Sequence, residues 1–201
     1  MLKQTLKKTL HAVCFIIVLP LLLLYWLLKP LSRQDELFAS FAQFLSLLPG
    51  TLGSYLRIAF YRRTMRHCAA DCYIGFATLF SQQGSEIAEG VYIGPQSNIG
   101  LSAIGANTLL GSGVHLLSGK NQHRFDDPTR PIKDQGGQFE KITIGANCWV
   151  GNGAIIMACV GDGSIIGAGS VVIHDIPAGV IAAGNPAKVI KTLHQAAATQ
   201  G

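Results

Sequence analysis

The chain has 201 residues, 49% of them hydrophobic, with 16 Lys and Arg against 11 Asp and Glu for a net charge of +5. That length suits one compact domain plus an extension. Much of the basic charge precedes residue 70, and beyond it Lys and Arg do not cluster with aromatics, which speaks against a nucleic-acid surface. The five cysteines (Cys14, Cys68, Cys72, Cys148, Cys159) are odd in number and irregularly spaced, which suits a reducing compartment rather than a disulfide framework.

Ala12 to Leu28 is an uncharged apolar run. It is about 26 Å long as a straight helix, near the lower limit for a hydrocarbon core about 30 Å thick. Lys3, Lys7 and Lys8 precede it as in a signal peptide, but no small-x-small cleavage site follows. Tyr25-Trp26-Leu27-Leu28-Lys29-Pro30 instead carries the aromatic and basic residues of a membrane interface. Basic residues flank both ends, Lys29 and Arg33 following the run, which favours both ends on the cytoplasmic side. Pro20 removes a helix hydrogen bond in the middle. The pattern predicts a re-entrant anchor over residues 12–28, bent near Pro20, in preference to a straight span.

Leu37, Phe38, Phe41, Phe44, Leu45 and Leu48 then recur at helical spacing, between a start at Ser32, Asp35 and Glu36 and a stop at Pro49-Gly50. A second stripe holds Leu52, Tyr55, Leu56, Ala59 and Phe60, with Arg57, Arg62, Arg63 and Arg66 nearby. Apolar faces edged by arginine predict helices lying in the interface of an anionic leaflet; packing against the following domain is the alternative. Residues 1–68 are therefore read as a membrane anchor with amphipathic interfacial helices. His67-Cys68-x-x-x-Cys72 with Asp71 lacks a second ligand pair at metal-finger spacing, and Cys is often a small buried hydrophobe, so no metal is expected.

From Ile87 apolar residues recur about every six positions: Ile87, Val91–Ile93, Ile99, Ile104, Leu110 and Leu116, then Ile144, Val150, Ile156, Val160, Ile166 and Val172. Ile74-Gly75 and Phe80 begin the first coil. A six-residue period fits neither a helix nor a simple strand. It predicts an all-β parallel β-helix in which short strands and bends close a triangular coil. Anchors stack at roughly 4.8 Å, and Gly after many of them tolerates the bends. Ile99 to Ile104 is one residue short and Ile156 to Val160 two short. The repeat domain is placed at 69–191, with a tail at 192–201 that carries no signal. A polar segment over 117–141, with Pro128 and Pro131, interrupts the repeat; such a loop is functional or disordered, and insertions emerge on one face of a solenoid.

Gly113-Val114-His115-Leu116, Asn121-Gln122-His123-Arg124-Phe125-Asp126-Asp127-Pro128, Ile144-Gly145-Ala146-Asn147-Cys148-Trp149-Val150-Gly151, Ile166-Gly167-Ala168-Gly169-Ser170-Val171-Val172 and Ala183-Gly184-Asn185-Pro186-Ala187-Lys188-Val189-Ile190-Lys191 occur in that order. Over residues 72–191 this set resembles the hexapeptide-repeat acyltransferases, whose β-helix is left-handed. It is most similar to sugar O-acetyltransferases of polysaccharide gene clusters, alongside maltose and galactoside acetyltransferases.

The resemblance implies a homotrimer with active sites between neighbouring subunits and acetyl-CoA as donor. Acetyl transfer to an alcohol needs a base, and a His suits that role. The resemblance makes His123 that base, with Asp126 or Asp127 holding the imidazole or ordering the loop. It places the pantetheine arm along the coils after Trp149, contacting Asn152 and the Ala168 backbone, and the phosphates at Lys188 and Lys191. His115 lies on a regular hexad and lines the substrate cleft with Arg124. The implied function is acetyl transfer to a saccharide or lipid-linked glycan at the cytoplasmic membrane, with the repeat domain facing the cytoplasm where acetyl-CoA is found. An N-acetyltransferase on an amino sugar, a γ-type carbonic anhydrase holding zinc with His115, His123 and a third His from elsewhere, and a non-catalytic scaffold are the alternatives.

Overall fold

The computed structural model describes residues 2–193; residues 194–201 of the expected tail lie outside the described residues. From His67 the chain forms short parallel strands, most of them two residues long, stacked into three faces. The inward residue of each strand sits on its counterpart one coil away. The first face stacks Cys68, Ile87, Ile104, Ile144, Val160 and Ile176. The second stacks Ile74, Ile93, Leu110, Val150, Ile166 and Ala182. The third stacks Phe80, Ile99, Leu116, Ile156 and Val172. All of these side chains are buried, so the hexad anchors are the core of a parallel β-solenoid.

The anchor-following glycines serve closeness rather than bending. A Cβ on Gly151 would lie 2.4 Å from the Ala168 nitrogen one coil on, so coil stacking itself excludes a side chain there. The left-handed backbone comes two residues later, at Gly153 (φ +68°), and Asn147 takes the same place after Gly145 with φ 53°; Asn tolerates that region better than most residues. Buried hydroxyls tie successive coils together: Thr108 Oγ1 donates to Gly145 O at 2.6 Å, Thr78 Oγ1 to Gly94 O at 3.0 Å and Ser164 Oγ to Pro177 O at 2.7 Å. The shortened hexads both lie at the corner between the third and first faces, where the 117–141 insertion also leaves. Val160 keeps its place in the first column through bridges to Ile144 and Ile176. At the far end the strands Val180–Gly184 and Ala187–Thr192 close the second face as an antiparallel hairpin.

Three helices close the near end: α1 (Leu2–Leu28), α2 (Gln34–Ser46) and α3 (Gly50–Thr64). α1 is helical on both sides of Pro20. Val18 and Leu22, on either side of the proline, are both buried where α1 packs along α3, which holds the helix across the missing hydrogen bond. By length and composition the segment Lys7–Leu31 is apolar enough to cross a membrane. The stripes of α2 and α3 differ from the interfacial expectation. Phe38, Leu45, Leu56, Ala59 and Phe60 are buried, with α2 against the strand Leu79–Phe80 and α3 against Tyr73–Ile74. The open end of a solenoid is itself an apolar surface, and these helices cover it. Phe41 stacks on Phe60 at 5.6 Å, and Tyr25 meets both edge-on. Cys68 and Cys72 are buried with their sulfurs 3.8 Å apart, while His67 and Asp71 are exposed.

Arg57 is not part of a basic rim: it is fully buried. Nε and Nη2 donate to Ile74 O at 3.2 and 2.8 Å, and Nη1 to Leu45 O and Leu48 O at 3.1 and 2.7 Å. Burial lowers its pKa from the usual value, yet guanidinium remains charged in proteins. Arg57→Met keeps much of the volume and takes these donors from Ile74 O and Leu48 O, while Leu45 O keeps the Leu48 N–H at 3.3 Å. It is expected to destabilise the full chain by about 2 kcal/mol or more, since each of the two orphaned groups costs about 1–3 kcal/mol. Urea unfolding of the purified protein measures this, and a loss under about 1 kcal/mol would show that the cap does not depend on Arg57.

Candidate active site

The insertion leaves the third face after Leu116 and returns to the first at Ile142. Its two legs pair with each other: Glu140 N donates to Ser118 O, Gln138 N to Asn121 O and Arg124 N to Gly136 O, at 2.8–2.9 Å. At the tip, Asp127 Oδ1 accepts from the Thr129 N–H and hydroxyl at 2.9 and 2.6 Å. The Gln135 amide bridges Asp127 and Arg130, donating to both carbonyls and accepting the Asp127 N–H. The Thr129 hydroxyl, then its N–H, hold the Asp127 carboxyl below its usual pKa. At the returning root, Glu86 receives Lys141 Nζ at 2.7 Å and Arg66 Nε at 2.9 Å, and Lys141 first among them keeps its carboxyl ionised to lower pH.

His123 is exposed on this loop, lining a hollow of ≈ 460 Å³ with Asn121, Arg124, Phe125, Asp126 and Gln138. Neither carboxylate hydrogen-bonds the imidazole. Asp126 faces Arg124 Nε at 3.5 Å, and Asp127 orders the loop backbone.

Beside that hollow, a cleft of ≈ 530 Å³ lies between the start of α2 and the third face, lined among others by Asp35, Glu36, Asn98, His115, Ser118 and Gln122. His115 points outward between Asn98 and Ile155 in register and lines this cavity, while Arg124 stands with His123. The hexad pattern gives no sign of Asp35, Glu36, Asn98 or Ser118. Asp35 and Glu36 read as a helix start, and only the fold carries them to the third face. There Asp35 Oδ1 accepts the Gln83 N–H at 3.0 Å and Gln83 Nε2 donates to Gln34 Oε1 at 2.6 Å. The shortened corners leave a groove of ≈ 400 Å³ at the loop's root, lined by Lys120, Lys141, Met157, Cys159, His174 and Asp175 among others.

The five residues expected to meet the donor follow another edge. Trp149 is exposed on the second face, in register with Ile165, which pairs with Ile181 and so with Lys191. Asn152 and Ala168 occupy the next corner on adjacent coils, the Gly169 N–H donating to Asn152 O at 2.9 Å; the Asn152 Oδ1 accepts the Ser112 N–H. Strict alternation would put Lys188 and Lys191 on opposite sides of their strand. A register shift between Ile181 and Ala182 pairs Lys188 with Ala183 and Lys191 with Ile181, so both project from the outer side. An exposed pair of ammonium groups above an exposed indole fits a phosphate-bearing donor with a long arm. Among the described residues no group of three His, Cys, Asp or Glu is placed to hold a metal ion.

No family model matches the chain. In sequence it is 34% identical over 131 residues to the galactoside O-acetyltransferase of Escherichia coli K12, covering 64% of this chain and 54% of that protein. It is 32% identical to the Lactococcus lactis galactoside O-acetyltransferase, covering 62% and 61%. The chain thus spans about half the length of these curated relatives. In structure it matches a maltose O-acetyltransferase from Clostridium difficile 630 with TM-score 0.68 and 23% identity, over 79% of this chain and 86% of that one. A galactoside acetyltransferase in complex with coenzyme A matches with TM-score 0.56 and 22% identity, over 80% and 82%. The repeat domain is therefore homologous to the galactoside O-acetyltransferases and shares the fold of the hexapeptide-repeat acetyltransferases.

Proposed function

We propose that this protein is a membrane-associated O-acetyltransferase. It moves acetyl from acetyl-CoA to a saccharide hydroxyl in surface-polysaccharide or lipid-linked glycan synthesis, with its repeat domain in the cytoplasm. The observation that carries this is the polar cleft of ≈ 530 Å³ beside the loop that bears His123, on a solenoid homologous to galactoside O-acetyltransferases. Carboxylates, an amide and a hydroxyl around a cleft suit the many hydroxyls of a sugar. Acetyl-CoA supplies an electrophilic thioester and a good leaving group. His123 takes the proton of the acceptor hydroxyl as it attacks and gives that proton to the departing sulfur. Asp127, Thr129 and Gln135 hold the loop in shape for this. Lys188 and Lys191 hold the donor phosphates, and Trp149, Asn152 and Ala168 guide the arm.

A left-handed winding and a homotrimer belong to the same reading. The loop and the donor residues lie at opposite edges of the third face, so a neighbouring subunit is well placed to bring its donor edge to the loop. Phe125, Ile132 and Phe139 of the loop and Tyr92, Leu109 and Trp149 of the second face are exposed, as contacts between subunits would require. The place of His115 in the larger cleft favours a second reading in which it is the base.

His123→Ala is expected to lower acceptor-dependent CoA release by about 10²–10⁴-fold with an unchanged melting temperature, while His115→Ala acts mainly on the KM of the acceptor. The reverse pattern would transfer the base to His115; no release with any sugar or glycolipid extract would remove the acetyltransferase. Replacing Lys188 and Lys191 together by Ala should raise the KM for acetyl-CoA roughly tenfold, as two exposed ion pairs of up to about 1 kcal/mol each allow. A short acetyl thioester without the nucleotide should be used equally by both proteins, and a comparable loss with it would place the lysines elsewhere.

A further inference from the structure

We infer that α1 lies in the plane of the membrane as a monotopic docking surface, one side in lipid and the other on its own protein, and does not cross the bilayer. Cys14, Val18, Leu22 and Tyr25 form a single stripe that is buried within the cap. The opposite side is bare and apolar: Val13, Ile16 (66% exposed), Ile17, Leu23 (63%), Leu24 and Leu27 (69%). Phe44, Leu47 and Leu52 of the neighbouring helices and turn are also exposed. Phe44 lies one turn from Phe41, which meets Tyr25, and Leu52 one turn before Tyr55, which meets His11. Soluble monomers rarely leave so continuous an apolar patch to water.

Polar anchors at both ends of the buried stripe decide against a span. The Arg63 guanidinium sits 5.0 Å over the Phe15 ring. The Tyr25 hydroxyl donates to Gln83 Oε1 at 3.1 Å, and Gln83 is bound in turn to Asp35 and Gln34. Phe15 and Tyr25 are only about 15 Å apart along a helix, half of a hydrocarbon core about 30 Å thick. A crossing α1 would drag the Arg63 charge or the Gln83–Asp35 cluster into lipid; an in-plane α1 leaves both on the aqueous side.

Charge names the lipid. Nine of the 16 Lys and Arg but only two of the 11 Asp and Glu precede residue 69, so the cap carries +7 and the remainder −2. Lys7, Lys8, Arg33, Arg62 and Arg63 are exposed around α1, and Lys29 Nζ lies 4.7 Å over the Trp26 ring. An apolar helix face with a basic border fits an anionic phospholipid surface. Asp35 and Glu36 of the cleft follow α1 within ten residues, so the cleft opens at headgroup level. That last step rests on the cleft being the acceptor site, as proposed above, and makes a lipid-anchored sugar its substrate class.

Two measurements on the full chain test this without an activity assay. Vesicles containing phosphatidylglycerol should sediment the purified protein, and Ile16→Glu with Leu27→Glu should weaken that binding at least tenfold at an unchanged melting temperature. In inverted membrane vesicles, Lys8→Cys and Arg33→Cys, each made with Cys159→Ser, should both react with an impermeant maleimide before lysis. Protection of one of the two until lysis would overturn the in-plane reading in favour of a span. Failure of the wild type to bind any vesicle would overturn docking and the membrane association with it, while acetyl transfer to a soluble sugar would survive. Binding unaffected by the double variant would show that another surface docks.

Discussion

A solenoid built from stacked two-residue strands has two open ends, and at one of them the closure turns on the Arg57 guanidinium. Its donors reach the carbonyls that end α2, Leu45 and Leu48, and the Ile74 carbonyl of the second face. Without a guanidinium in this place, the Leu48 carbonyl after α2 and the Ile74 carbonyl of the coils would face one another without these donors. No carboxylate is among these partners; the carbonyl dipoles at a helix end supply the negative pole. The helical cap and the repeat domain are thereby one folded unit, and whatever the cap attaches to, the cleft attaches to as well.

The geometry of the coil then sorts the chemistry by corner. The corner between third and first faces takes the insertion and the shortened hexads together, so a groove forms where the coil is thinnest and the loop that bears His123 rises beside it. The corner between second and third faces stays regular, and there Asn152 and Ala168 repeat from coil to coil. The terminal hairpin uses one bulge to bring Lys188 and Lys191 to one side, a spacing that an unbroken strand would waste.

The three columns are legible in the sequence because an inward residue recurs in every strand and its burial tolerates little beyond Ile, Val, Leu and Phe. The loop is legible because nothing in it fits the period. The glycines after the anchors are visible, but their purpose depends on a backbone one coil away. Stripes on α2 and α3 look the same whether lipid or a solenoid end covers them, and Arg57 looks like the border of such a stripe until its three carbonyl partners are in place. Asp35 and Glu36 sit eighty residues from His115 and meet it only through the cap. Lys188 and Lys191 are visible as charges; that they share a side follows from a register shift that composition does not encode.

Along the solenoid axis the parts fall in an order that suits a lipid-borne acceptor. The cap and α1 lie at one end. Besides the cap and the loop itself, the cleft draws on Ser81, Gln82, Asn98, Gly100 and His115, from coils before the insertion. The residues proposed for the donor begin at Trp149 and end on the last strand at Lys191. Coils stack at about 4.8 Å, so successive coils carry the donor end progressively away from the cap. Under the proposed function, the phosphates of the donor would be bound farthest from the bilayer. That separation has a physical use: an anionic surface repels an anionic cosubstrate over roughly a Debye length of about 8 Å, and several coils of solenoid exceed it. On that proposal the basic residues near α1 would neutralise lipid charge at one end while Lys188 and Lys191 would serve the nucleotide at the other, so one chain with a modest net charge would meet two anionic partners without forcing them together.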